Sequence, residues 1–181
     1  GFVYQGEVSA FRGGERGEPS GHLAPSAFIN FLQNHDQIGN RALGDRLEGV
    51  ADSRAIEAAL AVLLLAPGIP MLFMGEEWGS TAPFPFFCDF GGDLADAVRK
   101  GRRAEYAWAF AEFGDEVPDA LDPSTRDFAI LDWDGRDEPV ARKRLALVRD
   151  LLKVRREQIV PRLKGAAFGE AYATPESRAA L

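Results

Sequence analysis

Four polar residues in a row, Asn34, His35, Asp36 and Gln37, stand one position beyond the apolar run "AFINFL" at 27–32. A second acidic group, Glu76 and Glu77 in "MGEEWG", follows the apolar run "IPMLF" in the same way. Carboxylates and amides delivered together at the ends of buried segments suit a neutral, polyhydroxylated ligand, because a carboxylate accepts paired hydrogen bonds from vicinal hydroxyls. The loop "STAPFPFFCDFGG" at 80–92 adds Phe84, Phe86, Phe87 and Phe90, whose rings either form a small cluster beneath the loop or line a cleft. Sugars match this combination, and glycoside cleavage itself runs on pairs of carboxylates. Spacing alone would pair Asp36 with Glu76 or Glu77. Two other readings stay open: His35, Asp36 and Glu76 sharing a divalent metal, or Asp36 capping a turn with His35 satisfied in a core. No serine lies in a G-x-S-x-G setting, and no glycine-rich phosphate loop is present.

The elements that must position these residues alternate. "AFINFL" reads as a short strand buried on both faces. A loop-like stretch follows through Gly39, Gly44 and Gly49. Asp52 or Ser53 can accept from the first free amides of a helix, along which Ile56, Ala59, Leu60, Leu63 and Leu64 recur on one face. Pro67 and Gly68 end that helix, and "IPMLFMG" at 69–75 supplies a second buried strand. Strand, helix, strand is the βαβ unit of parallel sheets, whose carboxyl edge gathers ligands. Residues 93–111 predict a helix interrupted near Gly101, and 114–139 a long surface connection. From Glu138 to about Ile159 an amphipathic helix sets Leu145, Val148, Leu151, Leu152 and Ile159 against a solvated face of Arg142, Lys143, Arg149, Lys153, Arg155 and Arg156. Residues 164–181 have linker composition.

The 181 residues are 46% apolar and 27% charged, as in globular proteins, which sets aside disordered and collagen-like readings. A net charge of −7 argues against a nucleic-acid partner, which needs a clustered positive surface. The apolar stretch 58–75 is broken by Pro67, Gly68 and Pro70, so it predicts no membrane span. Cys88 is the only cysteine and agrees with a cytoplasmic location; with two histidines it leaves no structural zinc set. Neither a metal nor another cofactor is expected.

"FLQNHDQIGNR", "PGIPMLFMGEEWG" and "PFPFFCDF" resemble the alpha-amylase clan of glycoside hydrolases. Asn34, His35 and Asp36 resemble the clan's last active-site motif, at the end of barrel strand seven, and "MGEEWG" the end of strand eight. "QIGNR", the phenylalanine loop and "LDPSTRDFAILDWDGRDEP" resemble the subgroup that acts on maltooligosyl-trehalose, an α-glucan oligosaccharide. The resemblance implies an α/β fold, part of a (β/α)₈ barrel over 1–163, with 164–181 leading toward a C-terminal β-domain. It also implies a retaining mechanism whose aspartate nucleophile and glutamate acid/base lie on earlier strands. Because such barrels need about 250 residues, the chain is expected to be a piece lacking the N-terminal part of its own barrel. The resemblance demotes the pairing of Asp36 with Glu76 or Glu77. Asp36 becomes the third carboxylate, which grips and distorts the sugar beside the scissile bond. His35 joins it on the same hydroxyls, and Gln37, Glu76 and the aromatic loop are candidates for contacts at the trehalose end. A glycogen branching enzyme or another α-glucan enzyme of the clan, and a glucan-binding module without catalysis, are the competing readings.

Overall fold

The computed structural model describes residues 4–166 and, as backbone, 173–174 and 179–180. A small antiparallel pair opens the chain, β1 (Val8–Ser9) with β2 (Gly14–Glu15). The central unit is β3 (Ile29–Asn30), α1 (His35–Gly39), α2 (Leu47–Val50), α3 (Ser53–Leu65) and β4 (Ile69–Pro70). β3 and β4 pair in parallel with Ile29 opposite Ile69, the amide of Ile69 donating to the Phe28 carbonyl and that of Met71 to the Asn30 carbonyl. The expected β-α-β order is therefore present.

Local chemistry explains the boundaries. The Asp52 carboxylate accepts from the amides of Arg54 and Ala55, closing the amino end of α3 at the expected residue. Ile56, Leu60, Leu63 and Leu64 fall on one side of that helix and are buried with Val148. Leu32, Leu47, Leu72 and Leu151 pack around them. Val148 belongs to α7 (Pro139–Val154), which lies against α3 with Pro139 at its first turn. A single π-helical turn, Arg155–Ile159, continues α7 into α8 (Val160–Leu163).

Several expectations need correction. The paired strands are two residues each, and "AFINFL" is not buried on both faces: Ile29 is 61% exposed, and Phe31, Ile69 and Met71 are also open. The helix over 93–111 breaks at Tyr106, between α4 (Gly92–Glu105) and α5 (Ala107–Phe113), while Gly101 lies inside α4. The connection 114–139 is folded in part, with α6 (Pro123–Asp127) capped by Asp122 and with Val117, Ala120, Thr125 and Ala129 buried. Arg155 leaves the solvated face of the last long helix and is buried, while Leu152 is exposed. In 164–181 the backbone pairs β5 (Ala173–Thr174) antiparallel to β6 (Ala179–Ala180); the rest of the linker assignment beyond 166 lies outside the described residues.

Among the described residues no helix is long and apolar enough to cross a membrane. The outer edges of β3 and β4 carry no neighbouring strand there, and apolar side chains flank both. Open edges of this kind template association. The 181-residue chain alone is thus expected to scatter light as a concentration-dependent assembly, and a monodisperse monomer would refute this.

Candidate active site

The residues after β3 turn at once into α1. Asn34 caps that turn with a reciprocal pair of bonds: its Oδ1 accepts from the Gln37 amide at 3.1 Å, and the Gln37 Oε1 accepts from the Asn34 amide at 3.0 Å. This capping box fixes the backbone that carries His35 and Asp36. Both side chains then stand in solvent, 69% and 73% exposed, with His35 Nε2 3.3 Å from Asp36 Oδ1. Asn34, not Asp36, is the cap, and His35 is not in a core. Neither side chain is tied down by the fold, and both are free to meet a ligand.

Gln37 divides its functions. Its side-chain carbonyl oxygen belongs to the cap, and its amide nitrogen takes no part in that bond. Behind α1, Arg102 of α4 donates to the Gly39 carbonyl at 3.0 Å and to Asn40 Oδ1 at 3.1 Å, and the Tyr106 hydroxyl donates to the Asn40 carbonyl. Its guanidinium also sits 4.7 Å from the Phe86 ring centre. In the phenylalanine loop Phe84 is half-buried and meets Phe73 edge-on at 5.1 Å and Phe87 at 5.6 Å. Phe86, Phe87 and Phe90 stay open on their outer faces. The loop is thus both cluster and open wall. It is stitched to the Asp36 segment by the Phe84 amide, which donates to the Gly44 carbonyl. Gly44 has φ +70° and lies so close to Pro85 that a side chain there would collide.

Glu76 is placed differently from the expectation. Gly75, with φ +85°, turns the chain into a short helical turn at Glu76–Trp78 and drives the Glu76 side chain inward, where it is 0% exposed. Its Oε2 accepts from the Phe73 amide at 2.8 Å, and its Oε1 has no hydrogen-bond partner among the described residues. A sugar cannot reach it, so Glu76 is corrected from ligand contact to buried support. It does not converge with Asp36, and the metal-sharing alternative fails on the same geometry: among the described residues no three His, Cys, Asp or Glu side chains are grouped to hold an ion. Burial pushes the Glu76 pKa up to about 7; the Phe73 amide and Arg46 oppose this, while Glu48 and Glu77 reinforce it.

That shift has a sign. The folded protein holds the Glu76 proton up to about pH 7, whereas the unfolded chain releases it in the ordinary carboxylate range, so stability is full below that range and falls as pH rises to about 7. Glu76→Gln is expected to flatten this decline by roughly 2–3 kcal/mol across pH 4.5–7.5. Chemical denaturation of the complete protein at several pH values measures it, and parallel profiles for the two proteins would refute it.

Sequence reasoning missed the buried charges beneath the rim. Gln33 Oε1 accepts from the Leu47 amide at 3.0 Å, and its Nε2 donates to Glu48 Oε2 at 3.1 Å. Arg144 of α7 stands 4.0 Å from Glu48 and 3.7 Å from Glu57, and Arg46 is 1% exposed. The signal available was the density of charge in "GDRLE" between two apolar runs, which composition alone reads as loop.

No protein-family model matches the chain. It is 41% identical over 162 residues to the malto-oligosyltrehalose trehalohydrolase of Deinococcus radiodurans, a match covering 88% of this chain and 27% of that protein. Enzymes of the same name from Arthrobacter ramosus and Saccharolobus solfataricus are 40% and 38% identical, over 87% and 86% of this chain and 28% and 26% of theirs. A crystal structure from Salmonella typhimurium, provisionally named an alpha amylase, superposes with a TM-score of 0.85 at 45% identity, covering 95% of this chain and 30% of that one. The chain therefore spans a little over a quarter of the length of the curated relatives it matches.

Proposed function

From a chain similar over most of its length to malto-oligosyltrehalose trehalohydrolases, in the alpha-amylase clan, we propose that the complete protein hydrolyses the α-1,4 bond next to the terminal trehalose of maltooligosyl-trehalose and releases trehalose. This chain supplies the last strands and helices of a (β/α)₈ barrel, residues 1–163. The remainder of the barrel, with the nucleophile and the acid/base, comes from elsewhere in the protein. The observation that carries the reading is the exposed Asp36 and His35 pair, held on a capped turn at the carboxyl end of a parallel strand pair. A cytoplasmic setting is part of the same reading.

Asp36 accepts hydrogen bonds from vicinal hydroxyls of the glucose beside the scissile bond. As the ring carbon gains positive charge those hydroxyls become better donors, so the bonds tighten toward the transition state and lower the barrier. His35 bonds the same hydroxyls, and the Gln37 amide nitrogen reaches the next sugar. Glu76 acts from below the surface.

The test is product analysis of the complete protein on maltooligosyl-trehalose. Free trehalose supports the reading; a branched glucan without trehalose would replace it with a branching activity. The 181-residue chain alone should leave the substrate intact, since it lacks the two proposed reacting carboxylates, and hydrolysis by it would overturn the assignment.

A further inference from the structure

We propose that Arg46 is a positioning residue for Asp36, clamping the segment that carries Asp36 to the loop that follows β4. The proposal rests on the reading of Asp36 just given. Residues 33–47 form a loop pinched at its base, where Gln33 Oε1 accepts from the Leu47 amide. Arg46 stands at that base. Its guanidinium is buried and crosses to the neighbouring loop, donating from Nη1 to the Met74 carbonyl at 2.6 Å and from Nε to the Ala82 carbonyl. Its charge lies 4.9 Å from the Phe73 ring centre.

One planar fork thus spans both ends of the loop at 74–82 and sets its height against the Asp36 segment. A lysine could not do this, because an ammonium is a single donor centre without the rigid fork. Glu48 and Glu77 act on the guanidinium as counter-charges, joined by Glu76 once it has lost its proton. Burial of this kind is costly, and Arg46 Nη2 and Glu76 Oε1 remain without hydrogen-bond partners among the described residues. A tie serving only stability could be apolar. A charged fork instead fixes distance and angle, which is what a sugar-gripping carboxylate needs from its support.

The experiment uses the complete protein with Arg46→Met and Arg46→Lys. It measures kcat and KM on maltooligosyl-trehalose and the amide hydrogen exchange of each segment. Arg46→Met should lower kcat about 10- to 100-fold with KM changed less than about threefold, and speed exchange in 34–46 and 74–82 together while α3 and α7 stay protected. Arg46→Lys should fall between it and the wild type. Wild-type turnover by Arg46→Met, or a uniform rise in exchange with kcat per folded molecule unchanged, would overturn the proposal. If the wild-type protein releases no trehalose, it is the functional reading that fails; the clamp is then decided by the exchange data and by turnover on whichever α-glucan the protein does cleave.

Discussion

Asp36→Asn in the complete enzyme is expected to lower turnover of maltooligosyl-trehalose by about 10³-fold, in the range lost when one preorganised transition-state contact is removed. The substitution keeps the size and shape of the side chain. It removes the negative charge and turns one acceptor into a donor, so a pair of sugar hydroxyls meets one acceptor where there were two. The loss should appear chiefly in kcat, because the contacts strengthen as the ring acquires charge. Folding should hardly register the change. The carboxylate is 73% exposed, with His35 Nε2 3.3 Å away, and substitutions at such surface positions shift stability by about 0.5 kcal/mol or less. Steady-state kinetics and thermal melting on the same preparation separate the two effects. Turnover within a few-fold of wild type would defeat the role assigned to Asp36, and a collapsed melting point would show that the residue supports the fold.

The parts of the structure legible in the sequence were those governed by local rules. Asp52 capped α3, the Pro67 and Gly68 pair stopped it, and the Leu60 and Leu64 face found the core, because caps, breakers and periodicity act over a few residues. The β-α-β order and the placement of His35 and Asp36 at a strand end followed from the same rules. Long charged side chains escaped them. Arg46, Arg144 and Arg155 stand in patterns that read as solvated surface, yet each has a stem long enough to carry its guanidinium to carbonyls or carboxylates on another element. Glu76 escaped for the opposite reason: a glycine in the left-handed region turned it inward, and periodicity does not encode that reversal. The strand faces read as buried from their composition, but burial needs partners, and Ile29 and Ile69 have none among the described residues to cover them.

Arg155→Met is expected to destabilise the protein by about 3–5 kcal/mol, the cost of leaving a group of shielded carbonyls without donors. The last carbonyls of any helix lack intrahelical donors and carry the negative end of its dipole. The Leu64 carbonyl of α3, with those of Ala66 and Gly68 just beyond it, turns toward Arg155 and is largely shielded from water. Arg155, 8% exposed, answers them: Nη1 donates to the Leu64 and Ala66 carbonyls at 3.1 and 2.5 Å, and Nη2 to the Gly68 carbonyl at 2.6 Å. The π-helical turn beginning at Arg155 continues from the helix that packs on α3, so one side chain joins the end of α3, the turn at Pro67 and the start of β4. Methionine keeps the stem and its packing but leaves three carbonyls unpaired, each costing about 1–3 kcal/mol if it stays dry. Arg155→Lys should fall between, since an ammonium cannot span all three acceptors in one plane. Denaturant unfolding of the complete protein measures the change, with amide exchange at the carboxyl-terminal turn of α3 as the local readout. Because the bonds of Arg155 end at Leu64, Ala66 and Gly68, outside the segment that carries Asp36, the same variant should lose activity only in proportion to the fraction unfolded. Full stability in Arg155→Met would mean that water or backbone movement satisfies those carbonyls, and the hold of α7 on α3 would then lie in the apolar packing of Val148 and its neighbours.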